Sequence, residues 1–260
     1  MIDELKRRFA ARPWRNVISL VLLFAASLAV GQMLAHSRRC PLPCTSLHGV
    51  RENFDTLTPP ALPADWLATN ALGTPPLWVA SNSGPPSPPA DTLPNAASID
   101  DPAVVSDKRL DSLQFSFFER FFPRLTFRHN FNLEASDVDP NLGFDGGVLE
   151  LSTDGGNTFQ DIVAAGGSFV SGGYNRTIST DRGSPIAGRQ AWSGNSGGFI
   201  TSVVDLPAIQ MPGRLRWRMA SDTSGSGEGW RVDTVDISWC AGTPCPQPRP
   251  TPHPRPTPPG

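Results

Sequence analysis

Histidine is scarce, with four in 260 residues. No His-Glu-x-x-His occurs, so the helix-borne zinc peptidase motif is excluded, and little is left for any other histidine-based centre. An excess of one charge is lacking too. The formal net charge is −2, so no basic field points to nucleic acid and no acidic tail is present. Beyond Ala35 no stretch keeps helical periodicity, and no acidic spacing matches an EF-hand loop. Cysteine is limited to Cys40, Cys44, Cys240 and Cys245. What the chain has in quantity is proline (28) and glycine (24), clustered in segments that mark turns and linkers rather than core.

The N-terminus sets the compartment. Lys6, Arg7, Arg8, Arg12 and Arg15 form a basic flank, and residues 17–35 follow without a charge. This pattern is a secretory signal, with cleavage after Gly31 or Ala35, or a signal-anchor helix held in the membrane. Either way the rest of the chain is exported, to an extracellular, periplasmic or cell-surface location. The four cysteines all lie beyond that segment, where two disulfides are the default. Cys40 and Cys44 precede the presumed domain and Cys240 and Cys245 close it, which favours a bond between its two edges over two short local loops. A four-cysteine zinc site is the competing reading, and export argues against it. The expected organisation is therefore a signal or anchor over residues 1–37, one β-domain over 38–245, and a proline-rich extended tail over 246–260.

Within the domain, residues 124–134 alternate Leu125, Phe127, Phe131 and Leu133 with Arg128, Asn130, Asn132 and Glu134, the period of a sheet with one wet face. Residues 50–55, 113–118, 147–152, 159–163, 199–206 and 214–219 also read as strands, with 166–183 as a glycine- and serine-rich loop. Asp154-Gly-Gly-Asn157 marks a hairpin. In residues 230–239 Trp230 and Val232 are out of phase with Val235, Ile237 and Trp239, so a β-bulge is predicted near Asp233 or Thr234. Residues 81–94, rich in proline, read as a surface excursion.

The chemistry-bearing motifs are weak singly. Gly194-Asn-Ser196-Gly-Gly198 is like the nucleophile loop of trypsin-like proteases, with His48 upstream, but no third member is evident and a triad is defined by geometry. Ser152-x-Asp154-x-Gly156-x-Thr158-Phe159 fits the Asp-box hairpin and occurs once. Structural calcium is the candidate cofactor, with Glu52, Asp101 and Asp233 chosen as its ligands from the loop acids. Arg214, Arg216 and Arg218 form a stripe that reads as the wet face of an edge strand. Tyr174 and Trp192 are the candidate sugar-stacking residues, with Trp230 as a third aromatic and core packing as the competing reading. Asn175-Arg-Thr177 is a formal glycosylation acceptor.

The order Phe144-Asp-Gly-Gly-Val-Leu-Glu-Leu-Ser152, Asp154-Gly-Gly, Gly188-Arg-Gln-Ala-Trp-Ser-Gly194, Leu215-Arg-Trp-Arg218, Gly229-Trp-Arg-Val-Asp233 resembles the MAM-like jelly-roll modules of secreted bacterial proteins. Such modules occur beside immune-inhibitor-A-type metallopeptidases and in choice-of-anchor surface proteins. The resemblance spans about residues 50–239. It implies an all-β, two-sheet antiparallel jelly-roll (concanavalin-like or MAM-like) β-sandwich, here preceded by one hydrophobic helix, with an adhesive or carbohydrate-binding role and often a structural calcium. The peptidase itself is missing. The expected function is a non-catalytic module binding a surface glycan or protein, attached to the membrane if the signal is uncleaved. A hydrolase using Ser196 or a carboxylate pair, and a purely structural surface protein, are the alternatives.

Overall fold

The computed structural model describes residues 45–116, 121–209 and 212–241. They belong to one compact unit, Cys44–Gly242; the other unit, Met1–Pro43 with Thr243–Gly260, lies outside the described residues, as do Cys40, Cys44 and Cys245. The signal or anchor helix and the proline tail of the sequence reading fall there. Cys240 is disulfide-bonded. Among the described residues no helix is long and apolar enough to cross a membrane.

In chain order the strands are β1 (Thr45–Glu52), β2 (Leu67–Leu72), β3 (Val79–Ser81), β4 (Ala96–Ile99), β5 (Ser106–Asp111), β6 (Phe121–Leu133), β7 (Leu142–Gly143) and β8 (Gly146–Ser152). They continue as β9 (Gln160–Asp161), β10 (Ser168–Ser171), β11 (Arg176–Ile178), β12 (Gln190–Ala191), β13 (Gly194–Asn195), β14 (Ile200–Asp205), β15 (Arg214–Ser221) and β16 (Gly229–Ala241). One sheet of eight strands runs β10-β14-β6-β16-β4-β3, with β1 also on β16 and β13 also on β6. A second, of five strands, runs β2-β5-β15-β8-β9, and a small one runs β12-β11-β7. The fold is the expected all-β sandwich.

The period-two pattern explains the layers. Leu125, Phe127, Phe131 and Leu133 of β6 and Trp230, Val232 and Ile237 of β16 face inward, as do Leu149 and Leu151 of β8 and Leu215 and Trp217 of β15, and together they make one core. The rings of Phe127 and Trp217, one from each large sheet, meet edge to face at 5.6 Å. Gly147 on β8 permits a close approach to β16, because a Cβ there would stand 2.6 Å from the Trp230 ring. A second, smaller core of Val148, Ile178, Ile186, Ala191 and Ala220 lies under the small sheet.

The predicted bulge is present. The β16–β6 register shifts between Asp233 and Asp236, and Thr234 has φ of 48°. Before the bulge β16 pairs with β4 through Trp230–Val232; beyond it β16 pairs with β1 from Val235. The bulge is thus where one strand changes neighbours while keeping its apolar face inward. Thr45 faces Ala241 and Ser46 faces Cys240 across that second pairing.

Three expectations are corrected. Residues 113–116 hold only an isolated bridge, Phe115 to Gly213, and residues 117–120 are outside the described set. The expected loop 166–183 carries β10 and β11. The arginine stripe sits on a central strand: β15 lies between β5 and β8, where Arg216 pairs with Asp111 and Arg218 with Asp107 and Glu150. These charges are matched on neighbouring strands.

Residues 81–94 are no free excursion. The Arg231 guanidinium, 1% exposed, donates to the carbonyls of Ser83 (2.5 Å), Gly84 (2.8 Å), Pro85 (3.1 Å), Pro86 (3.1 Å) and Pro89 (2.9 Å). A proline run has too few N–H groups to satisfy its own carbonyls; one buried arginine supplies them. Asp233 Oδ2 accepts from the amides of Asp91 and Thr92 at 2.8 and 3.0 Å, and Arg128 pairs with Asp91 at 2.8 Å. The strap is therefore fixed to β6 and β16. Lys108 on β5 is also buried, 1% exposed, with its Nζ 2.5 Å from Asp100.

Candidate metal centre

Four chain segments deliver carboxylates to one place. Asp101 follows β4, Glu134 follows β6, Asp145 stands between β7 and β8, and Asp222 follows β15. Ligand oxygens of Glu134, Asp145 and Asp222 all lie within 4.8 Å of one another, and Asp101 contacts Asp145. Each aspartate uses one oxygen to fix backbone. Asp101 Oδ2 accepts from the amides of Glu134 (3.1 Å) and Gly227 (2.7 Å), Asp145 Oδ1 from Asp222 (2.6 Å), and Asp222 Oδ1 from Ser224 (2.7 Å). The loop after β15 is shaped to this purpose. Gly225 has φ of 73°, and a Cβ on it would stand 2.2 Å from the Glu134 carboxylate.

The other oxygens are orphaned. Asp101 Oδ1, Glu134 Oε2, Asp145 Oδ2 and Asp222 Oδ2 are buried without a hydrogen-bond partner. Asp145 is 0% and Asp222 1% exposed; Glu134 is half-buried and marks the side open to solvent. Burial, and then the neighbouring Asp101 carboxylate, push Asp145 far above the usual carboxylate range. Burial likewise raises Asp101 and Glu134, with Asp222 adding to the rise of Glu134. Without a cation, a proton between Asp101 and Asp145 is the remaining way to relieve the repulsion. Three converging carboxylates, Glu134, Asp145 and Asp222, with no nitrogen or sulfur donor among them fit a hard cation such as calcium and do not fit zinc. Bound there, calcium would neutralise the carboxylates and tie three chain segments together.

Of the residues singled out in the sequence as calcium ligands, Asp101 borders this centre through Asp145 but is outside the group of three whose oxygens converge. Glu52 and Asp233 stand elsewhere and are engaged by backbone: Glu52 Oε1 accepts from Phe54 at 2.6 Å, and Asp233 caps the strap. Glu134 and Asp222 are among the loop acids that the sequence offers for calcium, though not the three chosen, and Asp145 is not among them. Asp145 was inside a quoted motif but read as a turn, and the glycine-rich loop after Asp222 was the one available signal.

The other candidates are structural. Ser196 Oγ accepts from the Phe131 amide and faces Asn130 Oδ1 and the carbonyls of Phe131 and Gly198, with no histidine among its partners. His48 pairs with Asp236 at 2.8 Å. His129 is fully buried and held neutral, its pKa pulled down to about 3 by burial; it accepts from the Trp230 indole and bonds Ser202 Oγ. Trp192 is 0% exposed, with its indole donating to Gly172 O at 2.9 Å, so it presents no face to a sugar. Tyr174 packs edge to face on Trp192, and its hydroxyl lies 3.0 Å from Asp161. Trp230 is likewise buried. Asn175 spends both ends of its amide on Ser193. The Asp-box does act as a hairpin clamp: Asp154 accepts from the amides of Asn157 and Thr158 and from the Thr158 hydroxyl, which holds it well below the usual carboxylate range.

No family model matches the chain, and no curated protein matches it. Among solved structures it is similar to the K3 cleaved adhesin domain of Lys-gingipain from Porphyromonas gingivalis W83, at 17% identity and a TM-score of 0.42, covering 75% of this chain and 99% of that one. The K1 cleaved adhesin domain of the same protein gives 18%, 0.39, 74% and 97%. A structure of carbohydrate-binding modules of a β-sandwich superfamily gives 10%, 0.38, 72% and 60%. Likeness at this level assigns neither ligand nor activity here.

Proposed function

We propose that this chain is an exported, non-catalytic β-sandwich module of MAM-like type, stapled by calcium and binding a surface glycan or protein. The observation that supports it most is the contrast between engaged and orphaned groups. Ser196, His48 and His129 are each committed to unrelated partners, so no nucleophile–base pair forms among them. Among the described residues, unsatisfied carboxylates converge at Glu134, Asp145 and Asp222, with Asp101 against Asp145. They make a poor acid–base pair, because Asp145 is sealed from any substrate. The binding half of the reading is supported by the motif resemblance and the export segment.

The test uses the full-length oxidised chain. Calorimetric titration with calcium should give saturable heat at about one site, and a melt should rise with calcium and fall with a chelator. A glycan array in calcium, repeated with a panel of surface proteins, then looks for the ligand. Absence of calcium heat and of any melting shift removes the staple, and fluorophosphonate labelling of Ser196 overturns the non-catalytic reading.

A further inference from the structure

Beside the acidic centre stands one cation of the chain's own. Arg182 lies on the exposed stretch 181–183, between β11 and β12. Its guanidinium carbon sits 4.2 Å from the centroid of the Phe144 ring, next in sequence to Asp145. Its Nη1 is 3.2 Å from Ser224 Oγ, on the residue whose amide holds Asp222. Its charge reaches Glu134, where it opposes the upward push from burial and from Asp222. Arg182 thus contacts the supports of two ligands and acts electrostatically on a third, at the side where the centre opens to solvent. Other basic groups nearby are committed elsewhere: Lys108 is paired with Asp100, and Arg176 Nη1 is spent on the carbonyls of Ser136, Asp139 and Leu142.

We infer that Arg182 is a built-in competitor for the cation: it stabilises the calcium-free centre and lowers its affinity for calcium. The inference rests on the calcium reading above. The physical reason is charge. Three converging carboxylates with Asp101 beside them need positive charge, and a guanidinium held there by a ring and a hydroxyl supplies part of it. When calcium enters, the same guanidinium becomes a like charge. A residue that favours the empty state must, by linkage, weaken binding to the loaded one.

The experiment compares wild type, Arg182→Ala and Arg182→Lys, each full length, by calcium calorimetry and by melts in calcium-free buffer. Arg182→Ala should bind calcium about three- to tenfold more tightly at low salt, with the gain shrinking in high salt as an exposed charge is screened. It should also melt lower than wild type without calcium and close to wild type when saturated. Arg182→Lys keeps the charge and should stay near the wild-type affinity. An unchanged Kd for Arg182→Ala overturns the inference, as does equal tightening by Arg182→Lys, which would trace the effect to packing on Phe144. If wild type itself gives no calcium heat, the calcium reading fails first and is seen to fail separately.

Discussion

Arg231→Met is the most informative perturbation of the fold. It keeps a long apolar stem and deletes the head that satisfies five carbonyls of Ser83, Gly84, Pro85, Pro86 and Pro89. A hydrogen bond from a charged donor contributes about 1.5–3 kcal/mol net, so the gross loss is on the order of 10 kcal/mol. Two effects oppose it. Deleting the guanidinium relieves its desolvation, which already lowers the Arg231 pKa. The strap is at the surface, so its carbonyls regain water if it lifts. The expected net cost is therefore about 3–5 kcal/mol, in the range for breaking a buried charged contact. For a domain of this size that is a fall of roughly 6–20 °C in Tm. The second readout is local. Limited proteolysis followed by mass spectrometry should show new cleavage within 81–94 under conditions where the wild type stays intact, and Arg231→Lys, with fewer donors, should fall between the two. If Arg231→Met melts within about 2 °C of wild type and its strap is equally protected, the strap is held by something other than this arginine.

The acidic centre makes stability depend on pH. Asp101, Glu134 and Asp145 are raised, so the calcium-free folded state keeps protons that the unfolded chain releases above about pH 4, and its stability should fall as pH rises from there. Melts between about pH 5 and 8 should show that fall without calcium and lose most of it with calcium; Asp233, raised to about 6 by burial, leaves a smaller part that calcium does not remove. Asp145→Asn keeps an acceptor for the Asp222 amide and spares the calcium-free fold from having to hold a proton there, so at neutral pH it should raise the calcium-free Tm, and by deleting a carboxylate ligand it should weaken calcium binding by at least about tenfold in calorimetry. Trp192→Ala should cost about 3–5 kcal/mol by chemical denaturation, as a cavity at the meeting point of several rings, and should leave ligand binding per folded molecule unchanged. A flat pH profile, an unaltered Kd or a selective loss of ligand binding would refute these in turn.

The fold was largely legible because its signal is local. Alternation along β6 and β15 names the inward residues, Asp154-Gly-Gly-Asn157 names the hairpin, and the phase break after Val232 names the bulge. The centre was legible only as a pool of loop acids that held Glu134 and Asp222 but not Asp145, with nothing to single them out. Its ligands lie at the ends of separate strands, from Glu134 to Asp222, and no spacing in the chain joins them; only the stacking of the sheets does. Partners were illegible for the same reason. Arg216 and Arg218 of β15 look unmatched in sequence because Asp107, Asp111 and Glu150 come from adjacent strands. Residues 81–94 looked solvated because nothing local reveals that Arg231 will sit beneath them. Tyr174 and Trp192 misled because a strand tryptophan in the core and one on the surface are written alike.

The chain has two lysines, Lys6 and Lys108. With Lys108 sealed against Asp100, the described surface offers no primary amine. Acylating reagents and amine-coupling sensor surfaces therefore find no lysine to react with on the described β-sandwich while it stays folded. Acylation at Lys108 requires its pairing with Asp100 to break and the amine to be uncovered, so its rate in dilute reagent is a residue-specific clock for local opening at β5.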